Sequence, residues 1–543
     1  MRSDEAETRG RPNDERPAGG PDPGEDHAET RPVTLWAYRL LPALLLPVML
    51  ALSRDFGITW DEKTHQMYGQ AVWYNLTQGA DSRWFHPGWY MYLHGGLFDT
   101  LCVAAQRLLP GDIWTTRHYV NALFGWVGIV YVGRLGRLAG GPAAGLLAMA
   151  MLVLSPRYFA DSMNNPKDVP FAALSTAALY YTMRLSPRFP FLDRRRFVPL
   201  AASIALALNV RAGALLLLGY VALALGGLSV ASRAFSPARL FSTAARWALL
   251  VVVVLVAGTA FWPWAQKRPL KRPVQAVFLL SQFDWDRTVL FDGRDVRATA
   301  LPVDYVPRWA AVTVPPVVLI GATLSLLLLA RRRGSGRLLV AGMWFAALFP
   351  VAYVILTRAV IYDAVRHLLF AYPPLVVAAA WGWSGLRGAL RGVSRAALTL
   401  ALAIGLVEPA WFMWRNHPNQ CVYFNALVGG PRGALGRYEL DYWGNSVHQA
   451  IEWVSARAQE TGTRLLVSGH PPHVVRDEAR RRPSLAFARD EERPRLDVLV
   501  LRGPRETVLD LASRTDVLHR VTTADGATLA IVVPVPAREH IGP

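Results

Sequence analysis

TLWAYRLLPALLLPVMLALSRDFGITWDEKTHQMYG, residues 34–69, sets a long apolar run almost directly against two adjacent carboxylates, Asp61 and Glu62. The run 34–53 carries a single charge, Arg39, and is long enough for a helix to cross the hydrocarbon of a bilayer. No cleavage signal precedes it, so it reads as a permanent anchor. Further apolar runs follow at about 117–133, 142–156, 169–185, 197–210, 212–230, 247–262, 311–330, 338–357, 367–386 and 396–414. Eleven candidate spans predict a polytopic all-α membrane protein.

Composition agrees. Of 543 residues, 52% are hydrophobic, 18% are charged and 19 are Trp, more apolar material than a soluble core requires. The net charge of +18 comes mostly from Arg in short clusters between apolar runs. That pattern orients a protein in lipid and lacks the basic stripe of a nucleic-acid surface, so membrane lipid is an expected partner and nucleic acid is not. Cys102 and Cys421 lie far apart with no CxxC or Cys/His spacing, which points to neither a disulfide framework nor a zinc site. Neither G-x-x-x-x-G-K-[ST] nor a dinucleotide fingerprint occurs.

With the amino terminus inside, the clusters at Arg134 and Arg137, Arg188 with Arg194 to Arg196, Arg233 and Arg239, Arg331 to Arg333 with Arg337, and Arg387, Arg391 and Arg395 all fall on the cytoplasmic side. The loops 54–116, 157–168, 263–310 and 358–366, and everything after 414, then fall outside. This sidedness requires 197–230 to be two short spans split at Asn209 and Arg211, since one long span would invert all that follows. The segment 84–109 reads as an interfacial helix, so loop one is expected to hold helices at roughly 60–77 and 88–108.

Residues 1–33, rich in Pro, Gly, Glu, Asp and Arg, read as a disordered cytoplasmic arm. Residues 415–543 change character: GNSVHQAIEWVSARAQE reads as a helix, and TRLLVS, LDVLVL and ATLAIVV as short strands. They predict a small extracytoplasmic α/β domain. The aromatic stretch NHPNQCVYFNALVGGPRGALGRYELDYWGNS before that helix is read as packing rather than chemistry.

This topology brings Asp61, His86, Asp168, Arg211 and Arg366 to one membrane face. Charges beside apolar helices are costly and tend to face a cavity or a partner, so their convergence suggests a site for a charged, lipid-linked ligand. The adjacent acids read differently. Glu62 completes a capping box with Thr59, whereas Asp61 sits in the first turn, where a helix N-terminus favours an anion, and shares its face with His65 one turn on. Asp168 begins a span, with Asp161 as an alternative acid in the same loop. Arg211 and Arg366, taken singly, read as interfacial anchors.

The order of WDEKTHQMYG, FHPGWYMYL, NNPKDVPFAAL, NVRAGALLLLG, FWPW with LFDGRDVRATALPVDYVPRW, and RHLLFAYPP resembles that of the polyprenyl-phosphate-dependent membrane glycosyltransferases of the GT-C fold, the superfamily of the protein O-mannosyltransferases and lipid A aminoarabinose transferases. The resemblance covers about residues 34–414. It implies a catalytic outer loop at 54–116, with Asp61 as the essential acid, Glu62 and His65 in support, and Asp168 at the site or on a divalent metal. Arg211 and His86 stand where the aminoarabinose enzymes have Lys, and with Arg366 they would hold the carrier phosphate. The implied enzyme is an inverting glycosyltransferase of a bacterial inner membrane that takes a polyprenyl-phosphate-linked sugar to an unidentified envelope acceptor. A metal is the only cofactor it leaves open. The competing reading is a transporter or flippase of a lipid-linked sugar, which would place polar residues at mid-membrane and often carry internal repeats.

Overall fold

The computed structural model describes residues 32–185, 194–231, 237–282, 285–331, 335–488, 492 and 494–535. The expected arm, up to residue 31, lies outside the described residues, as do Arg188, Arg233, Arg332 and Arg333; Pro32 and Val33, assigned to the arm from sequence, already belong to the first helix, Pro32–Leu52. Among the described residues, seven helices are long and apolar enough to cross a membrane, or eight if the bent pair Tyr305–Thr313 and Pro316–Arg331 is one span. The chain is a multi-pass membrane protein. The other apolar runs of the eleven form shorter helices: Asp168–Met183, Arg194–Leu208 and the segment 142–153.

Breaks in these helices have local causes. The stretch Ile113–Val153 turns at Gly140 and Gly141, where Gly141 takes φ 79° and Pro142 follows. Beyond the turn Met149 lies against Gly133, and Ala144 and Ala148 against Gly136, so 142–153 runs back along 113–139. The expected span 311–330 is interrupted: its two helices meet at 116°, at Pro315 and Pro316. Asn425 satisfies the freed carbonyls of Ala311 and Val314 at 2.7 and 2.9 Å. Between Arg194–Leu208 and Leu215–Ala231 the chain is broken at Asn209, Val210 and Arg211, and both helices lie against Asp168–Met183 and Pro237–Ala257. The run 197–230 is therefore two helices. The helix Tyr372–Ala389, rich in small residues, sits at the centre, packed on 113–153, Pro316–Arg331 and Ser335–Thr357.

Loop one holds the helix Glu62–Gln78 as expected, but its second helix is shorter than the sequence suggests. Residues 83–93 form two 3₁₀ turns, and the α-helix runs only from Leu97 to Leu108. The backbone of 94–97 is engaged elsewhere: His94 bridges Arg211, Gly96 N–H donates to Phe261 O at 2.8 Å, and Leu97 N–H donates to Asn209 O at 3.1 Å. A side chain at Gly95 would lie 2.0 Å from the Asn209 carbonyl oxygen, so loop one docks on the helix break through a residue that only glycine can supply.

A β-hairpin, β1 Thr288–Phe291 and β2 Arg294–Arg297, turns at Asp292–Gly293 with positive φ at both, a favoured hairpin geometry. The carboxy-terminal sheet contains β3 Leu465–His470, β4 Leu485–Phe487, β5 Leu496–Val500, β6 His519–Thr522 and β7 Thr528–Pro534, in the order β4-β3-β5-β7-β6. Strands β4, β3 and β5 are parallel, and β7 is antiparallel to both β5 and β6. The edge strands β4 and β6 are too short to show periodicity in sequence. The helix Val447–Glu460 covers the sheet, and Ile58 and Trp114 of the helical body join its core. The aromatic stretch before it packs with the helical body, through Phe424, Tyr438 and Trp443.

Candidate active site

Asp61, Asp168 and Arg366 each stand at the entrance to a helix or 3₁₀ turn, and Arg211 occupies the extended break between two helices. These positions converge. Arg366 Nη1 lies 2.8 Å from Asp61 Oδ2 and 3.8 Å from Asp168 Oδ2, while its Nη2 lies 3.1 Å from Asp363. Arg211 Nη1 lies 2.9 Å from Asp168 Oδ1. The Asn165 side chain donates from Nδ2 to Asp168 Oδ2 at 3.1 Å and accepts the Asp168 N–H on Oδ1 at 3.0 Å, which fixes that carboxylate at the start of its helix. Tyr362 and Trp443 stack on Arg366, with ring centroids 5.2 and 4.7 Å from its guanidinium carbon. The result is a chain of alternating charge, Arg211, Asp168, Arg366, Asp61.

Asp61 is held from both sides. Glu62 reaches back to the Thr59 N–H at 2.7 Å and is itself buried against His118 at 3.2 Å, so it locks the helix entrance. Gly57 N–H donates to Asn445, Ile58 N–H to Glu478 at 2.9 Å, and Trp60 N–H to Trp443 O at 3.0 Å. The Trp60 ring meets His470, His473 and Arg502, and Arg502 also donates to Asp363 at 2.7 Å. The carboxy-terminal region therefore grips the segment that carries the acid. Burial alone would raise the Asp61 carboxyl, but Arg366, then Lys167 and His65, outweigh it and hold the group well below the usual carboxylate range. His65 is turned by a buried partner, its Nδ1 2.8 Å from Asp99, which Arg117 fixes at 2.8 Å.

Burial pushes the Asp161 carboxyl up to about 7, against a hydrogen bond from Trp443 at 2.9 Å. A cavity of about 280 Å³ lies beside it and Arg366. Its wall is chiefly apolar, from Val306, Ala347, Leu348, Leu368, Leu369 and Leu375.

No protein-family model and no curated protein sequence matches the chain. Among solved structures it superposes on ArnT from Cupriavidus metallidurans bound to undecaprenyl phosphate, with TM-score 0.50 and 16% identity over 92% of this chain and 98% of that one. The chain has the GT-C fold. At lower scores it matches the archaeal oligosaccharyltransferase AglB from Archaeoglobus fulgidus in complex with an inhibitory peptide and a dolichol-phosphate, at 0.47 and 12% identity over 83% of this chain and 65% of that one. It also matches the mycobacterial arabinofuranosyltransferase AftD, at 0.42 and 14% identity over 92% and 42%.

On this GT-C scaffold His86 is not part of the cluster. Its side chain is exposed and its Nε2 lies 2.8 Å from Asp81, so the structure does not bring it together with Asp61, Asp168, Arg211 and Arg366. The divalent metal considered for Asp168 does not fit either. That carboxylate is already surrounded by Arg211, Arg366 and Asn165, and among the described residues no three His, Cys, Asp or Glu side chains gather in a way that could hold a metal ion. Sequence reasoning passed over Asp363, Trp443 and Lys167. Lys167 follows Pro166 in NNPKD, where a charged neighbour of Asp168 reads as a solvated loop residue, yet it is only 8% exposed.

Proposed function

We propose that the protein is an inverting glycosyltransferase of a bacterial inner membrane, moving a sugar from a polyprenyl-phosphate carrier to an acceptor hydroxyl at the outer face, with the carboxy-terminal region on that same side. The observation that carries this reading is the chain Arg211, Asp168, Arg366, Asp61, which sets an ionised acid on one guanidinium group and links it through Asp168 to a second, on the GT-C fold. Arg211 and Arg366 present forked donors suited to phosphate oxygens, and the apolar cavity beside Arg366 offers a wall for a lipid tail.

A phosphate is a competent leaving group when cations meet its growing charge, so the reaction needs a base more than a general acid. Asp61 takes the proton of the acceptor hydroxyl as that oxygen attacks the anomeric carbon from the face opposite the phosphate, which inverts configuration. Arg366 keeps Asp61 ionised in the resting protein but also weakens it as a base. Phosphate arriving at Arg366 competes with Asp61 for the guanidinium and returns basicity to the acid where the acceptor enters. Asp168 aims both guanidinium groups. The test is to incubate the purified protein with a panel of polyprenyl-phosphate sugars and follow release of polyprenyl phosphate. Release that Arg366→Met abolishes supports the reading; intact donor throughout the panel overturns it.

A further inference from the structure

The cations of the cluster are not equivalent. Arg211 is committed to Asp168, Arg366 is shared among Asp61, Asp168 and Asp363, and Arg502 is paired with Asp363. Lys167 is buried with them, yet among the described residues no carboxylate lies within ion-pair distance of its ammonium. Its backbone is not free to swing away: the Lys167 N–H donates to Asn165 Oδ1 at 3.3 Å and its carbonyl accepts the Phe171 N–H at 3.2 Å as the next helix begins. Four cations thus face three carboxylates, and the further acids Asp161 and Glu439 are pushed upward, chiefly by burial. Asp61 and Asp168 attract this ammonium without touching it, and a largely buried ammonium with no ion-pair partner is costly, so the missing partner is an anion.

Building on the glycosyltransferase reading, we propose that Lys167 contacts the carrier phosphate directly and takes up the charge that appears as the sugar leaves. In that step the bond from the anomeric carbon to the phosphate oxygen breaks and its electron pair stays on the phosphate. The acceptor oxygen bonds to the anomeric carbon and its proton passes to Asp61. The carrier goes from a singly charged diester to a monoester that approaches a dianion at neutral pH. Arg211 keeps Asp168, and Arg366 keeps Asp363 and Asp168, when Asp61 takes the proton. Lys167 has no such partner, so it is the cation placed to favour the more highly charged state.

The groups whose charges act on Lys167 or are acted on by it are Asp61 and His94 from loop one, Asp168 beside it, and Arg211, Arg366 and His367. Burial first, then Arg211, lowers the ammonium to about 8, against the opposing pull of Asp61 and Asp168.

The test uses the full chain with Lys167→Met and Lys167→Arg, assayed with a polyprenyl-phosphate sugar from about pH 6 to about pH 10 and by direct binding of polyprenyl monophosphate. Wild-type kcat/KM should fall on an alkaline limb near pH 8, as the free ammonium loses its proton. Lys167→Met should lower kcat/KM and weaken polyprenyl monophosphate binding, each by about 10- to 100-fold. Lys167→Arg should recover to within about tenfold of wild type and lose the limb, because its charge does not titrate in this range. Unchanged monophosphate affinity in Lys167→Met, or an unchanged limb in Lys167→Arg, overturns the proposal. If wild type transfers no sugar from any donor, the glycosyltransferase reading fails separately, and monophosphate binding by wild type against Lys167→Met still decides the lysine.

Discussion

Asp61→Asn separates the two acids of loop one. Asn keeps the shape of the side chain and an oxygen that Arg366 can still approach, but it has no basicity. If Asp61 takes the acceptor proton, kcat should fall by about 10²- to 10⁴-fold, about 3 to 5 kcal/mol in the barrier. The fold should survive. Arg366 keeps Asp363 at 3.1 Å and Asp168 at 3.8 Å, so no buried guanidinium is stranded and the stability loss should be about 1 kcal/mol. Because Asp61 competes with phosphate for Arg366, removing its charge should tighten donor binding by a few-fold even as turnover collapses. Glu62→Gln should behave in the opposite way. Glu62 is 1% exposed and carries Thr59 and His118, so its loss should cost about 2 kcal/mol of stability while the folded fraction keeps its rate. Initial rates at saturating donor, donor affinity and thermal unfolding, measured on both variants, make the comparison. An Asp61→Asn enzyme with kcat within about tenfold of wild type, or one whose loss lies wholly in KM, would refute the base assignment.

Asp168→Asn should leave Arg211 without its partner, lower kcat/KM by about 100-fold or more and destabilise the protein by about 3 kcal/mol; rates and unfolding should move together. Gly95→Ala should cost more than about 3 kcal/mol in thermal unfolding, since a side chain there meets the Asn209 carbonyl at 2.0 Å, and an unshifted Tm would contradict the docking of loop one. Stability should also depend on pH through His448. Burial would lower this imidazole, but Glu478 and Glu452 lift it to about 9, so its stabilisation is complete below its ordinary value of 6.5 and is lost as pH rises through 9. Glu478 is held well below 4.5, so its share is present above that pH and is lost on acidification. Tm should therefore decline from about pH 7 to about pH 9, and His448→Gln should flatten that decline.

Much of this arrangement is legible in the sequence because it follows from transfer energy and chain geometry. The apolar runs become helices, Thr59 and Glu62 engage at one helix entrance, and Asn209 to Arg211 breaks 197–230. The polar residues expected at one membrane face include Asp61, Asp168, Arg211 and Arg366, which do converge. The differences have separate causes. Residues 88–96 read as the start of a helix, but 90–93 close a 3₁₀ turn and the backbone of 94–97 bonds to Arg211, Phe261 and Asn209, partners more than a hundred residues away. His86 beside Pro87 has the look of a site residue, yet its nearest acid is Asp81, five residues before it. Trp443 and Lys167 could not be found locally, because a Trp in an aromatic-rich stretch and a Lys in a loop each have an ordinary reading until tertiary packing sets the one on Arg366 and buries the other next to Asp168.

The central claim is that the protein breaks the bond between sugar and carrier rather than moving the intact lipid. Wild-type protein in liposomes, supplied with a polyprenyl-phosphate sugar labelled in both sugar and lipid, tests it most directly. The account predicts that the two labels part, with polyprenyl monophosphate left in the membrane and the sugar joined to the acceptor in inverted configuration. Labels that stay together while the lipid changes leaflet would contradict it.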